Sequence, residues 1–512
     1  MKKYKNIFSS INIGRLRLPN RLVIPPMGTN YARDDGHLTD QFYDYWRERA
    51  KGGWGLLIVE VTAVDPLGKA IPRQPGIWND EYIGGFKHLT SIAHENETKI
   101  AVQLHHAGKQ TYKENIGGKK PVSASPIPCP VCQVSPHKLT TSEVYDLVEK
   151  FGDAALRAKK SNFDAIELHG AHGYLIAQFM SPNSNRRNDE FGGDFDSRMR
   201  FPREIIRNVR KKVGSDFPII FRISADEMVT GGRTIDESRA IAQFLEEEGV
   251  DALDVSIGVY GSMQYIIAPY DVPKAFNLHN IEEIKKAVDI PVIGVGRIHE
   301  PELAEEAINT GKTDMVAMGR QSLTDPYLPN KLAGGAQEEI APCISCLQRC
   351  MGYLFNPEEL EISCLVNPFC GREGEMKISP AEHQKKIIVV GAGPAGLEVA
   401  WIAASRGHKV ALYEKEDEVG GQLKAGAMGP NKQEFIKAIK YFRTMLEKHN
   451  VKINLKQKID KEKILKENPD SVIIATGSRP LYPDIEGLKN HPKVVTAIDI
   501  LEGKVTAGES VL

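Results

Sequence analysis

Charge imbalance, long apolar runs and early cysteines are all missing from this 512-residue chain. Its 66 Lys and Arg against 67 Asp and Glu leave a net charge of -1, so there is no field to draw nucleic acid or an anionic membrane surface. No apolar run approaches the ~18 residues of a membrane-spanning helix, and the opening MKKYKNIFSSINIG lacks the apolar core of a secretory signal. A cytoplasmic location without a membrane partner is therefore expected. The seven cysteines begin only at Cys129, and five of them fall between Cys343 and Cys370. Clustering of that kind, without an export signal, points to a metal or cluster rather than to disulfides.

What is present is alternation. Over the first ~340 residues short β-rich runs alternate with amphipathic helical segments, the pattern of a parallel α/β fold. Eight strands are expected, at 21–24, 55–62, 99–104, 165–168, 218–223, 252–256, 291–295 and 314–318. Their interiors read as near-continuous apolar runs such as LLIVEV, as strands covered on both faces do. Eight is the number of a closed TIM barrel, with a doubly wound open sheet as the alternative.

Catalytic groups in such barrels sit at the C-terminal strand ends. The fourth strand ends in His169-Gly-Ala-His172-Gly-Tyr174. A metal pair is the weaker alternative, because the spacing is not the helical i, i+4 of hydrolytic zinc motifs and no third ligand is near. Buried structural histidines are the other. The remaining strand ends are also polar or glycine-rich: Pro25-Pro26-Met27-Gly28, Gln103-Leu-His105-His106, Arg222, Gly294-Val-Gly296-Arg297 and Met318-Gly319-Arg320. Glycines let backbone amides approach a phosphate, and the last two strand ends of a barrel often hold one. Arg297 and Arg320 can add charge-assisted hydrogen bonds to it.

After the barrel comes Cys343-x2-Cys346-x3-Cys350-x13-Cys364, with Cys370 shortly beyond. Four thiolates so spaced suit a [4Fe–4S] cluster or structural zinc. Cys129 and Cys132, an isolated C-x2-C in the loop SASPIPCPVC, are read as loop thiols. A polar linker then leads to the strand at 386–390, Gly391-Ala-Gly393-Pro-Ala-Gly396, a helix, and a second strand ending in Glu414. This is G-x-G-x-x-G in its βαβ setting, where pyrophosphate rests on the helix N-terminus and the acidic residue holds ribose hydroxyls. Gly420-Gly421-Gln422-Leu423 and VIIATG at 472–477 follow; the three together resemble the FAD half of two-dinucleotide flavoproteins.

His169-x-x-His172-x-Tyr174, and the Ser-Pro-x-x-Asn-x-Arg run from Ser181 to Gly193, resemble the Old Yellow Enzyme family of flavin oxidoreductases. The cysteine pattern resembles that family's iron–sulfur subgroup of 2-enoate reductases, 2,4-dienoyl-CoA reductases and trimethylamine dehydrogenases. The resemblance implies a (β/α)8 FMN barrel over 1–340, a [4Fe–4S] segment over 341–376 on Cys343, Cys346, Cys350 and Cys364, with Cys370 as an alternative fourth ligand, and a partial FAD domain over 377–512. It implies FMN contacts at Pro25, Met27, Gln103, Arg222, Gly296, Arg297, Gly319 and Arg320, and FAD contacts at Gly391, Gly393, Gly396, Glu414 and Gln422. His169 and His172 are then the carbonyl-binding pair, Tyr174 the proton donor and Tyr260 a second acid. The expected activity is reduction of a C=C bond conjugated to a carbonyl in a small molecule, with NAD(P)H as donor. An amine dehydrogenase and an electron-transfer flavoprotein are the alternatives. No second G-x-G-x-x-G follows, so a C-terminally shortened chain with weakly held FAD and little NAD(P)H turnover is expected. NADH against NADPH, and monomer against homo-oligomer, stay open.

Overall fold

The computed structural model describes residues 3–356, 358–488 and 491–509. They form two compact units, one of residues up to 335 together with 347–375, the other of 336–346 with 376 onward. The segment carrying the cysteines is thus divided, with Cys350, Cys364 and Cys370 in the first unit and Cys343 and Cys346 in the second.

In the first unit eight strands close into a barrel: β1 (Leu22–Ile24), β2 (Leu56–Ala63), β3 (Lys99–His105), β4 (Ala165–Gly170), β5 (Ile219–Ser224), β6 (Ala252–Ser256), β7 (Val292–Gly294) and β8 (Met315–Ala317). Every neighbouring pair is parallel, and β8 returns to β1 through Val316 opposite Leu22. All eight expected strands are present, and closure removes the open-sheet alternative.

Because alternate residues of a strand share a face, the inner positions change character stepwise along the barrel axis. At the strand starts Leu56, Ala101, Ala165, Ile220, Ala252 and Met315 form one apolar cluster, joined by Ile13 and Leu18 of an antiparallel hairpin, Ile11–Ile13 with Leu16–Leu18. Two residues further along come Gln103, Glu167, Arg222 and Asp254, all buried. Two further again stand His105, His169, Ser224 and Ser256. Apolar packing closes one end, a buried polar layer follows, and the chemistry emerges where the strands finish.

The outer layer follows from amphipathic spacing. Helix α1 (Thr141–Lys160) buries Val144, Leu147, Val148, Phe151, Ala155 and Ala158, an i, i+3, i+4 stripe. Each of the larger side chains contributes roughly 1.5–3 kcal/mol by leaving water. Thr140 and Glu143 form a capping box at its start, and three basic residues fill its last turn, both favourable to the helix dipole. It ends at Ser161, beyond which Asn162 turns with φ 62°. Gly152 lets it approach α2 (Phe195–Val213), since a Cβ there would stand 1.8 Å from Asn208 Oδ1. A side chain at position 152 would have to displace the Asn208 carboxamide and the Lys212 side chain.

The second unit carries four parallel strands in the order β11 (Lys452–Asn454), β10 (Lys409–Tyr413), β9 (Lys386–Val390), β12 (Ser471–Ile474). Helix α3 (Pro394–Ser405) starts with a proline in its first turn, where the missing N–H costs nothing.

Candidate active site

At the C-terminal end of the barrel lies a cavity of about 1360 Å³, including its open mouth. His169, His172, Tyr174 and Tyr260 all line it, as do Met27, Arg222, Gly296, Arg297, Gly319 and Arg320. The structure therefore brings together all four residues expected to be catalytic and six of the eight expected to hold FMN. Pro25 lies behind Gly319, and Gln103 is fully buried beneath the rim, giving its Nε2–H to Glu167 Oε1 at 2.7 Å.

Local backbone geometry aims the histidines. β4 ends at Gly170, and His172 turns the chain with φ 59°, a conformation that non-glycine residues hold only when their surroundings fix it. Here its N–H donates to Ser224 Oγ at 2.9 Å, and its carbonyl accepts from Gln110 Nε2 at 2.9 Å. Its Nε2 meets Ser256 Oγ at 2.7 Å. The Ala171 N–H donates to His169 Nδ1 at 3.4 Å, which assigns the ring proton to Nε2. Burial, with the neighbouring histidines and Arg222, holds His169 well below the ordinary imidazole value; burial and Arg222 do the same for His172. Burial thus favours the neutral form of both rings.

Tyr174 and Tyr260 share a hydroxyl–hydroxyl hydrogen bond of 2.9 Å. Burial pushes Tyr174 up to about 12, opposed by the bond from Tyr260. Burial pushes Tyr260 well above the ordinary phenol value, reinforced by Tyr174. Either hydroxyl of the pair can be the donor. His105 completes the aromatic wall, its ring 4.4 Å from that of Tyr174 and 5.3 Å from that of His169.

Beneath this layer, Glu167 and Asp254 stand on the strands either side of the one that carries Arg222, and Arg222 Nε is 3.2 Å from Asp254 Oδ2. Burial raises both carboxyls, and the repulsion of Asp254 raises Glu167 further. Two buried acids side by side tolerate one negative charge; the proton belongs on Glu167 and the charge on Asp254, next to Arg222. Glu167, Asp254, Ser224, Ser256 and His105 were not singled out from the sequence as functional. The signal that finds them is their period of two with His169 and Arg222.

The features of a phosphate cradle fit FMN. Arg320 Nη1 is buried without a partner, and a Cβ at Gly319 would stand 2.7 Å from Met27 Sδ. Gly296 has φ 155°, and a Cβ there would stand 2.6 Å from Asn277 Cβ. Cys350, Met351, Leu354 and Phe355 reach the same cavity. Cys364 Sγ lies 3.6 Å from Thr324 Oγ1, whereas buried Cys370 receives a bond from Arg49 Nη2 at 3.9 Å. Among the described residues no group of three or more His, Cys, Asp or Glu is arranged to hold a metal ion.

In the second unit the glycine loop fits a dinucleotide pyrophosphate. Gly391 has φ 104°, and a Cβ at Gly396 would stand 1.9 Å from Gly391 O. Glu414 Oε2 accepts from the Ala392 N–H at 2.8 Å, and Gln422 Nε2 donates to Ser478 Oγ at 3.0 Å. No described helix is long and apolar enough to cross a membrane.

A closed parallel barrel with a phosphate cradle, donor-lined C-terminal cavity and following dinucleotide fold defines a flavin-dependent oxidoreductase. Residues 6–339 match the NADH:flavin oxidoreductase / NADH oxidase family, and 385–504 match the pyridine nucleotide-disulphide oxidoreductase family. The chain belongs to the NADH:flavin oxidoreductase / NADH oxidase family. It is 47% identical to an NADH oxidase of Thermoanaerobacter brockii, over 99% of this chain and 78% of that one. It is 37% identical to a cinnamate reductase of Clostridium sporogenes, over 100% of this chain and 79% of that one. A solved 2-naphthoyl-CoA reductase superposes with a TM-score of 0.95 at 33% identity, covering 99% of this chain and 78% of that one. Membership brings FMN to the barrel and FAD with NAD(P)H to the second fold, and the iron–sulfur group adds a [4Fe–4S] cluster.

Proposed function

We propose that the protein is an ene-reductase that reduces a C=C bond conjugated to a carbonyl, in an enoate, enone or steroid-like small molecule, with electrons from NAD(P)H. The observation that carries this is one cavity holding two neutral histidines, a tyrosine pair and a phosphate cradle. When bound, FMN supplies hydride to the β-carbon, the cluster passes single electrons and FAD accepts hydride from NAD(P)H. His169 and His172 hydrogen-bond the substrate carbonyl and stabilise the negative charge that develops on its oxygen. Tyr174 gives its phenolic proton to the α-carbon, while the Tyr260 hydroxyl donates to the Tyr174 oxygen as charge appears there. Gln103 Oε1, buried without a partner, and Arg222 serve the flavin ring; Met27, Gly296, Arg297, Gly319 and Arg320, backed by Pro25, serve its phosphate.

On the family resemblance, we assign Cys343, Cys346, Cys350 and Cys364 to the cluster, and Gly391, Gly393, Gly396, Glu414 and Gln422 to FAD. We assign the barrel to residues 1–340, the cluster segment to 341–376 and the FAD fold to 377–512. The amine dehydrogenase alternative is less well supported: no Asp or Glu is among the described residues lining the cavity, so an alkylammonium would find no carboxylate there. The names of the cinnamate and naphthoyl-CoA reductases support an unsaturated substrate.

Tyr174→Phe tests the assignment. FMN content and reoxidation by oxygen should be unchanged, while reoxidation of dithionite-reduced enzyme by cyclohexenone should slow by roughly 10²-fold or more, as loss of a general acid does. An unchanged enone rate in stopped flow would remove Tyr174 from the mechanism.

A further inference from the structure

Asp254 neither touches substrate nor moves a proton in the function proposed, yet it is a fully buried carboxylate inside the barrel. Four inward-facing polar residues make up its layer, and the strand register sorts them into two couples. Gln103 on β3 stands opposite Glu167 on β4, and Arg222 on β5 stands opposite Asp254 on β6. The contacts follow the same division: Gln103 Nε2 donates to Glu167 Oε1 at 2.7 Å, and Arg222 Nε stands 3.2 Å from Asp254 Oδ2. Of the four, Arg222 alone lines the cavity. Its register partner on the other side is His169, so the guanidinium stands between the strand of the first histidine and that of the buried carboxylate.

Stability does not account for this ion pair. Asp254 is fully out of water and Arg222 is 6% exposed, and burying two charges is costly unless further hydrogen bonds satisfy them. Here such bonds are few. Apart from a proton shared with Glu167, neither Asp254 oxygen has a donor, and Arg222 Nε has no well-directed acceptor. A well-packed apolar couple would fill the barrel at no greater cost. What the pair does have is compensating charge. Burial raises the Asp254 carboxyl, and Arg222 is the first influence to oppose it. At 3.2 Å the carboxylate in turn offsets much of the field that the guanidinium sends into the cavity.

We propose that Asp254 is a positioning residue that sets, through Arg222, the positive charge facing the flavin ring, and with it how readily bound FMN accepts electrons. The proposal rests on the assignment of Arg222 to the flavin ring and not on the identity of the substrate. A nearby cation stabilises negative charge added to a flavin, and a carboxylate paired with that cation weakens the effect. Removing the carboxylate uncovers the cation. Glu167 has no such influence, because the partner it holds is the neutral amide of Gln103. One couple thus presents a dipole and the other a compensated charge, and only the second changes the flavin's appetite for electrons when its acid is neutralised.

The test titrates holoenzyme with sulfite, which bleaches oxidised flavin by adding to its ring and leaves a negative charge there, so its affinity reports the local cation without turnover. Asp254→Asn keeps the shape and removes the charge; it should retain FMN and bind sulfite roughly tenfold more tightly than the native chain. Glu167→Gln should stay within about twofold of native. Because the effect passes through Arg222, Asp254→Asn should add nothing in an Arg222→Gln background. The FAD fold lies in the second unit, so its response is common to all these proteins. Unchanged sulfite affinity in Asp254→Asn, or the same gain without Arg222, would overturn the proposal, as would a gain in Glu167→Gln instead. Asp254→Glu keeps the charge and should hold FMN and sulfite as the native chain does; loss of FMN from both Asp254 variants would mean that the side chain serves packing alone. Sulfite affinity decides the matter whether or not the chain reduces enones, so failure of the ene-reductase reading and failure of this one are told apart.

Discussion

At the scale of single residues, the site works with neutral groups. Burial is the first cause holding His169 and His172 well below the ordinary 6.5, and the first raising Tyr174 to about 12. The sign follows directly: lowering the pH through 6.5 protonates an ordinary imidazole but neither of these, and raising it toward 10 ionises an ordinary phenol but not Tyr174. The rate of enone-driven flavin reoxidation should therefore vary by less than about twofold between about pH 6 and about pH 10. Stopped-flow measurements with dithionite-reduced enzyme check this. An inflection near 6.5 would mean that a protonated histidine binds the carbonyl. The neighbouring acids obey the same logic in reverse, since burial and mutual repulsion keep a proton on Glu167 and leave Asp254 beside Arg222.

At the scale of elements, the cysteine segment poses the sharper question of which thiol is the fourth ligand. Cys370 is only 1% exposed and lies under the guanidinium of Arg49, whose charge is met by Glu373 at 2.8 Å. Cys364 is partly exposed, with Thr324 Oγ1 at 3.6 Å from its sulfur. Cys364→Ser should therefore abolish the broad visible absorbance of the cluster with FMN retained. Cys370→Ser should keep the cluster and lower the thermal midpoint, because a buried thiol is replaced by a hydroxyl with a stronger need for partners. Cluster loss in Cys370→Ser with retention in Cys364→Ser would exchange the two assignments. Strand by strand, the barrel was legible because period-two burial and strand-end chemistry are local. His169, His172 and Tyr174 were legible for the same reason. What was not legible depends on closure: Ser224 accepts from the His172 backbone N–H across 52 residues and Ser256 meets its ring across 84, and no local pattern marks two serines as the braces of one histidine. Cys129 and Cys132 are legible as loop thiols, since no second cysteine pair lies near them in sequence, but their packing against Tyr260, more than a hundred residues on, is not.

At the scale of the whole molecule, two compact units each have a backbone built for a nucleotide phosphate, and the requirement is steric in both. In the barrel a Cβ at Gly296 or Gly319 would collide with Asn277 or Met27; in the second unit one at Gly391 or Gly396 would collide with the Ala475 or Gly391 carbonyl. A methyl at position 396 would stand 1.9 Å from Gly391 O, a contact relieved only by moving backbone, and hence by spoiling the turn that presents amides to the pyrophosphate. No such methyl touches the barrel's own cradle, whose residues all belong to the first unit. Gly396→Ala should thus lose FAD and retain FMN in full. Enone reduction driven by dithionite or a reduced viologen should continue at the unaltered rate, since His169, His172, Tyr174 and Tyr260 are untouched. Any turnover with NAD(P)H that passes through FAD should fall with the FAD content, while direct reduction of FMN by nicotinamide would persist. Flavin analysis after acid release, set beside both activities, separates these routes. Loss of FMN together with FAD would show that the two units load as one, against the independent cradles described above.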